Sequence, residues 1–399
     1  MNDNNNNFCV VPFVHLYMHS NESERLCCRT SEIQQINKRT ASTEINMEKR
    51  WSSDYYKNAR QRILNGEKLE VCSDCFDKEE KGGHSDRIRY NRIYRDFIEP
   101  NIETGNQYSS PLDLDIRPSN LCNLKCRMCG PANSSQIQKE FSSDYVQKKY
   151  GAYINKSVDF ESINIDVSIW NSENEKYLLH ENLKKIKLLG GEPSIMPETD
   201  SILDYLISIG RTDVTLHITT NLTNSNKKFI DKLSKFSNLE FNYSIDGVGD
   251  VVEYIRTPIK FKAIEENIKI YESLGHGEII CTVQALNLFN MIDTLKWADS
   301  INVPIFFNSL ENPAWASVYN IPKDIRDTEL KNILTNGLPP KDDICTKKNI
   351  AVLEQYLSYD ETYDPTMFVV ATNALDDIRD QKLKDSIPEI WEIFKDNFK

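Results

Sequence analysis

The chain has 399 residues, 39% of them apolar and 27% charged, which is typical of a folded protein of two or three units rather than a disordered chain. Acidic side chains outnumber basic ones, 60 to 48, so nucleic acid and anionic lipid are disfavoured as partners. No apolar run reaches the length of a membrane span and the Asn-rich N-terminus lacks the pattern of an export signal, so we expect a cytoplasmic protein with no membrane partner.

Residues 1–110 are predicted to form a small cysteine-rich metal-binding module. Five of the ten cysteines lie here, and a reducing compartment keeps thiols from pairing as stable disulfides, which favours a metal over a disulfide framework. Cys72 and Cys75 form a C-x2-C half-site that Cys9 and one of two adjacent cysteines would complete, and we choose Cys27 over Cys28. The spacing suits zinc or a four-cysteine iron–sulfur cluster, and unpaired buried thiols are the alternative.

Residues 111–310 predict an α/β fold, a partial (β/α)6 TIM-like barrel. Six short apolar strands alternate with helical stretches, as in repeated βα units around a parallel sheet. The strands are expected at residues 112–117, 185–189, 214–220, 239–245, 279–283 and 303–308. Helices with apolar residues at three and four spacing are expected at residues 198–209, 227–236, 261–274 and 291–301.

Two other segments are less regular. Residues 134–181 are too long for a simple connection and are predicted to hold the first helix and an insertion. Residues 311–399 predict a helical C-terminal extension, with candidate helices at 324–336, 346–359 and 387–398.

The sequence C-x3-C-x2-C follows directly after the first barrel strand, at Cys122, Cys126 and Cys129. Three thiolates at this spacing can each bind a different iron of a [4Fe–4S] cluster and leave the fourth iron open to a small chelating molecule. A zinc site would need a fourth ligand nearby, and the loop holds none.

This loop, closing the first strand of a βα barrel, resembles the radical S-adenosylmethionine (radical SAM) superfamily over about residues 111–310. The resemblance implies an enzyme in which Cys122, Cys126 and Cys129 hold the cluster that reductively cleaves S-adenosylmethionine. The resulting 5′-deoxyadenosyl radical would abstract hydrogen from a substrate. Family members commonly carry an aromatic residue before the third cysteine, where this chain has Met128, whose thioether can pack on adenine.

A second motif, Gly190, Gly191, Glu192 and Pro193, follows the second strand. Two glycines permit close backbone approach, and carbonyl groups with Glu192 suit an ammonium group. In the family this stretch contacts the methionyl amino group of S-adenosylmethionine. Gly-Gly-x-Pro is also ordinary turn material, which is the structural alternative.

Polar residues near the ends of later strands fit the same ligand by this resemblance. Asp246 could accept hydrogen bonds from the ribose hydroxyls, and Ser244 and Arg256 could hold the methionyl carboxylate. Asn221 closes the third strand. Asn221, Ser244 and Asp246 could instead serve as ordinary turn or cap residues.

The N-terminal cysteines resemble the auxiliary twitch or SPASM module of radical SAM enzymes, which commonly follows the barrel and here precedes it. The resemblance implies a second iron–sulfur cluster, an external one-electron reductant of flavodoxin or ferredoxin type, and a peptide, protein or small-molecule substrate. Whether the reaction is an oxidation or a group transfer stays open. A non-catalytic iron–sulfur electron carrier and a zinc-stapled binding protein are the alternatives.

Overall fold

The structure is a computed structural model, and it describes residues 7–19, 25–30, 46–80, 83–96, 110–157 (backbone only for 152–157), 170–310, 312–339, 343–359 and 365–398. The chain forms two compact units. The first comprises residues 1–120, 162–218 and 228–239, and the second comprises residues 121–161, 219–227 and 240–399. The domain boundaries expected near residues 110 and 310 remain predictions.

Four parallel strands belong to the first unit, in the order β1-β2-β3-β4. They are β1 (His15–His19), β2 (Asp113–Arg117), β3 (Lys185–Leu188) and β4 (Thr215–Thr220), whose last two residues belong to the second unit. Strand β1 was not predicted, because five residues within the presumed cysteine module are too short a run to identify a strand. All five are buried, and His15 lies opposite Asp113 in the register.

Three further parallel strands follow along the chain. They are β5 (Leu239–Ser244), β6 (His276–Val283) and β7 (Ile305–Ser309). Strand β6 pairs with both β5 and β7. All six strands expected between residues 111 and 310 are therefore present, within a few residues of their expected ends. With β1 the fold is α/β with seven parallel strands, as in a partial barrel.

The helices of the first unit are Val11–Val14, Met47–Trp51, Asp54–Leu64, Ser73–Glu80, Asp86–Ile93, Ser172–Glu175 and Pro197–Ser208, and Lys227–Leu233 begins at its boundary. Alternate residues of the strands supply an apolar core, because successive side chains of a strand point to opposite faces. Leu114, Ile116 and Leu188 are fully buried, as are Leu203 and Leu206 of Pro197–Ser208.

The helices of the second unit are Ser135–Phe141, Asp144–Ser157, Gly249–Ile255, Phe261–Glu272, Met291–Ser300, Lys323–Asn332, Ile344–Leu357, Thr366–Arg379, Leu383–Ser386 and Pro388–Phe394. The helix expected at 324–336 is α-helical to Asn332 and continues as a π-helix, Ile333–Gly337. Thr366–Arg379 was not predicted. Part of the insertion expected before residue 181, residues 158–169, lies outside the described residues.

No helix in the described part of the chain is both long enough and apolar enough to cross a lipid bilayer.

Candidate active site

The cysteine loop, residues 122–129, is held in place by hydrogen bonds that its backbone amides donate. The Lys125 N–H donates to the Thr257 carbonyl oxygen at 2.7 Å, and the Arg127 N–H donates to the Ile255 carbonyl oxygen at 2.8 Å. The Leu124 N–H donates to Cys122 Sγ at 3.4 Å. Alternate amides of the loop are thus paired with the end of helix Gly249–Ile255, which gives the loop one conformation.

The three thiols of the loop are largely shielded from solvent, and for two of them this burial opposes ionisation. Cys122 and Cys126 are buried and Cys129 is half-buried. Burial raises the pKa of Cys126, and burial with the charges of the neighbouring Cys126 and Cys122 raises that of Cys129 to about 12. Without a bound cation, Cys126 and Cys129 are therefore neutral thiols at pH 7.

This donor set fits an iron–sulfur cluster. Thiolate sulfur is the protein ligand of such clusters, and the positive charge of iron would stabilise the thiolates that burial disfavours. Within the described residues, no three His, Cys, Asp or Glu side chains converge on one point as the ligands of a single ion do. Thiols bound to a cubane lie farther apart, because each binds a different iron.

A buried ion pair adjoins the central cysteine of the loop. Arg256 Nε donates to Asp246 Oδ2 at 2.7 Å, and Arg256 Nη1 donates to Cys126 Sγ at 3.7 Å. Asp246 is fully buried, and its Oδ1 accepts the Thr282 N–H at 2.8 Å. Burial lowers the pKa of Arg256, but the Asp246 carboxylate outweighs this and raises it above its ordinary value. Both oxygens of Asp246 are thus engaged within the protein.

The other residues that were predicted in this unit also have defined places. Asn221 is buried, and its Nδ2 donates to Asn123 Oδ1 at 3.0 Å, so it contacts the cysteine loop directly. Met128 is half-buried within the loop. Ser244 ends β5, half-buried and opposite Ile280 in the register.

The Gly190–Pro193 stretch belongs to the first unit and follows β3. Gly190 has φ of +114°, and a Cβ there would lie 2.6 Å from the Ser119 carbonyl oxygen, so glycine is required. The Gly191 N–H donates to that same oxygen at 3.2 Å. Glu192 is buried, and its Oε1 accepts from Ser194 Oγ at 2.6 Å. Pro193 begins the turn Pro193–Ile195.

The N-terminal cysteines come together in the first unit, where one cavity is lined by Cys9, Cys27, Cys28, Cys72 and Cys75. Burial raises the pKa of Cys9 to about 12 and that of Cys72 to about 11. The pKa of Cys27 is raised by burial and by the charges of Cys28, Cys9 and Cys72. After burial, the groups that shift the pKa of Cys28 most are Asp115 and Arg117, which are not thiols.

Sequence reasoning missed two residues around this cavity. Arg87 Nη1 donates to the Phe8 carbonyl oxygen at 2.8 Å, and its charge lowers the pKa of Cys9 and Cys72 against the effect of burial. His15, on the cavity wall, has Nδ1 3.2 Å from Asp113 Oδ1. The polar–apolar alternation of residues 15–19 was the available signal for His15, and a basic stretch alone could not single out Arg87.

Residues 116–295 match the model of the Radical SAM superfamily. Among solved structures, native anSMEcpe with bound AdoMet is similar at 19% identity, covering 56% of this chain and 59% of that chain, with a TM-score of 0.40. Streptococcus suis SuiB bound to precursor peptide SuiA is similar at 13% identity, covering 82% of this chain and 67% of that chain, with a TM-score of 0.39. The chain thus spans less than two thirds of anSMEcpe. No curated protein is similar to the chain in sequence.

The superfamily match covers the end of β2, the cysteine loop, the Gly190–Pro193 stretch and β3 to β6. The prediction, made from the C-x3-C-x2-C motif and its place after a strand, that this part of the chain is of radical SAM type is thereby confirmed over residues 116–295. That family implies a [4Fe–4S] cluster and S-adenosylmethionine as cofactors.

Proposed function

We propose that this radical SAM enzyme uses Cys122, Cys126 and Cys129 to hold a [4Fe–4S] cluster, cleaves S-adenosylmethionine reductively and abstracts a hydrogen atom from a substrate. The observation that carries the proposal is the cysteine loop. It presents three neighbouring, mostly buried thiols, held by the backbone hydrogen bonds of Lys125 and Arg127, inside a segment that matches the superfamily model.

The cluster and S-adenosylmethionine, when bound, supply the chemistry: one electron breaks a carbon–sulfur bond to give methionine and a 5′-deoxyadenosyl radical, which takes a hydrogen atom from the substrate. The protein supplies ligands, orientation and exclusion of water. Only three cysteines lie in the loop, which leaves one iron for the amino and carboxylate groups of the cofactor. Cys281, the next buried cysteine along the chain, lies within β6 as a core residue.

In the first unit, Glu192 and the carbonyl groups around Gly190 and Gly191 are proposed, by resemblance to the family, to receive the methionyl ammonium group of S-adenosylmethionine. The tight approach at Gly190 and the buried carboxylate of Glu192 support this assignment. Pro193 would hold the turn that presents Glu192.

In the second unit, Ser244 and Arg256 would bind the methionyl carboxylate, Met128 would pack on the adenine, and Asn221 would support the loop through Asn123. Asp246 was expected to accept from the ribose. Because both of its oxygens are engaged by Arg256 and Thr282, we propose instead that Asp246 orients Arg256.

A second iron–sulfur cluster is proposed at Cys9, Cys27, Cys72 and Cys75. All four line one cavity, and Arg87 provides a cation beside them. Cys27 is preferred to Cys28 because the charges of Cys9 and Cys72 raise the pKa of Cys27. The charges that shift the pKa of Cys28 most are those of Asp115 and Arg117. The proposal of a peptide or protein substrate rests on the resemblance of this cysteine set to twitch or SPASM modules, and a flavodoxin or ferredoxin would deliver the electron.

The decisive assay measures 5′-deoxyadenosine. Anaerobically reconstituted protein, given S-adenosylmethionine and dithionite, should form it, and Cys126→Ala should not. Cys281→Ala is the matched control, because it removes a buried thiol that lies in a strand outside the loop. Equal product from wild type and Cys126→Ala would refute the proposed activity.

The second cluster is tested by counting iron and sulfide. Wild type should hold about eight irons per chain if two [4Fe–4S] clusters form, and a Cys72→Ala, Cys75→Ala variant should hold about four. Zinc in place of the second set of irons would favour a structural zinc site in this module.

A further inference from the structure

The cysteine loop contains a buried arginine to which the proposed function assigns no role. The Arg127 side chain is completely shielded from solvent, and its guanidinium carbon lies 3.6 Å from the centre of the Tyr254 ring. Its Nε donates to the Tyr254 carbonyl oxygen at 3.1 Å. Its Nη2 donates to Asp376 Oδ1 at 2.5 Å and to Gln381 Oε1 at 3.1 Å. The loop is thereby joined to a segment about 250 residues further along the chain.

Asp376 is itself held in place from two other directions. Its Oδ1 also accepts the Tyr254 hydroxyl at 2.7 Å, and its Oδ2 accepts the Leu383 N–H at 2.8 Å. These bonds fix the carboxylate at the end of helix Thr366–Arg379, so that it meets Arg127 in a single orientation.

A second connection runs from the residue on the other side of Cys126. Lys125 Nζ lies 2.7 Å from Glu140 Oε2, and Arg379 donates to Glu140 Oε1 at 2.8 Å. Both Arg379 and Glu140 are nearly fully buried. Residues on either side of Cys126 thus reach the same C-terminal helix, one directly and one through Glu140.

We propose that the C-terminal anchor, defined as Asp376, Arg379 and Gln381, positions the cysteine loop, and that Asp376 is a positioning residue for Cys126. A buried ion pair adds little net stability over an apolar pair of the same size, whereas its directed hydrogen bonds restrict orientation. Three thiols that must reach three irons need placement to within about 0.5 Å. The inference rests on the proposed function only where it concerns the cluster.

Asp376→Asn, with Asp377→Asn as the matched control, tests the anchor. Asp377 is the next residue, but it is 39% exposed and pairs with Lys149 at 2.8 Å on the surface. In the cluster-free full chain, hydrogen exchange at the amides of Lys125 and Arg127 should be about tenfold faster in Asp376→Asn. Exchange in Asp377→Asn should equal that of wild type. Equal exchange in all three proteins would overturn the inference.

A double variant separates positioning from stability. Arg127→Met with Asp376→Leu removes both charges and should be more stable to heat than Asp376→Leu alone, because no buried charge is left unpaired. After anaerobic reconstitution it should still lose iron to a chelator about tenfold faster than wild type and show an altered electron paramagnetic resonance spectrum of the reduced cluster. Wild-type iron loss and spectrum in this variant would overturn the positioning role.

The two arms also separate this inference from the proposed activity. If wild type assembled no cluster, the proposed function would fail, while the exchange rates of the cluster-free chain would still decide whether the C-terminal anchor holds the loop. If Asp376→Asn does not fold, the double variant provides the exchange measurement, with the same tenfold expectation at the amide of Lys125.

Discussion

Replacing Asp246 with asparagine tests the buried ion pair beside Cys126. An asparagine side chain has one acceptor oxygen, so either Arg256 or the Thr282 N–H would face an NH2 group instead of an acceptor. Removing one partner of a buried pair costs about 3–5 kcal/mol, because the remaining charge stays in a medium of low polarity. Arg256 keeps 9% exposure and the Cys126 sulfur as an acceptor. We therefore expect Asp246→Asn to lower the free energy of unfolding by about 3 kcal/mol, the lower end of this range.

The assay is urea denaturation of the cluster-free chain, followed by circular dichroism at pH 7. The exposed Asp250, four residues along, supplies the control, and Asp250→Asn should change the free energy of unfolding by less than about 0.5 kcal/mol. Asp246→Leu combined with Arg256→Met should be more stable than Asp246→Leu alone, because no charge is then buried alone, although the Thr282 N–H still lacks its acceptor. A cost below about 1 kcal/mol for Asp246→Asn would refute both the ion-pair reasoning and the proposal that Asp246 orients Arg256.

Gly190→Ala should lower the free energy of unfolding by at least about 2 kcal/mol, because its φ of +114° and the Ser119 carbonyl leave no room for a Cβ. Gly210 has φ of +71° and open space around it, so Gly210→Ala should cost about 1 kcal/mol in the same urea titration. The cluster-free chain should be equally stable at all pH values from 7 to 8 and lose stability above pH 9, since burial holds the pKa of Cys9 near 12 while an unfolded thiol ionises near 9. The free energy of unfolding from urea titration should fall by up to about 1.4 kcal/mol per such thiol at pH 10. Cys27→Ser should reduce the iron bound after reconstitution to one cluster, and Cys28→Ser should leave it unchanged.

Each of these predictions would be contradicted by a specific result. Equal costs at the two glycines would remove the argument for a close approach at Gly190. A cluster-free chain that gained stability between pH 9 and 11 would contradict the buried, neutral state of Cys9. Iron loss in Cys28→Ser that matched the loss in Cys27→Ser would reject the choice between the adjacent cysteines.

The fold followed from the sequence where short-range patterns carried it. The six strands from β2 to β7 were predicted from apolar runs separated by helical periods, because each run is visible within a window of a few residues. The helix Thr366–Arg379 was missed, and so was β1. A five-residue strand becomes recognisable only when it pairs with β2, since its stability comes from that neighbour and from burial of both faces.

The sequence by itself predicted the chemistry of the central loop, because the spacing of Cys122, Cys126 and Cys129 is local and three thiols in one loop already point to a cluster with an open iron. Only the tertiary structure decided which groups surround that loop. Asp246 lies against Arg256 with both oxygens engaged, and Arg127 meets Asp376 across 249 positions of the chain. The Arg127–Asp376 pair depends on the path of the whole chain, and no periodicity or spacing near either residue encodes it. Asp246 and Arg256 are only ten positions apart, but the Thr282 N–H that engages the second oxygen of Asp246 comes from strand β6.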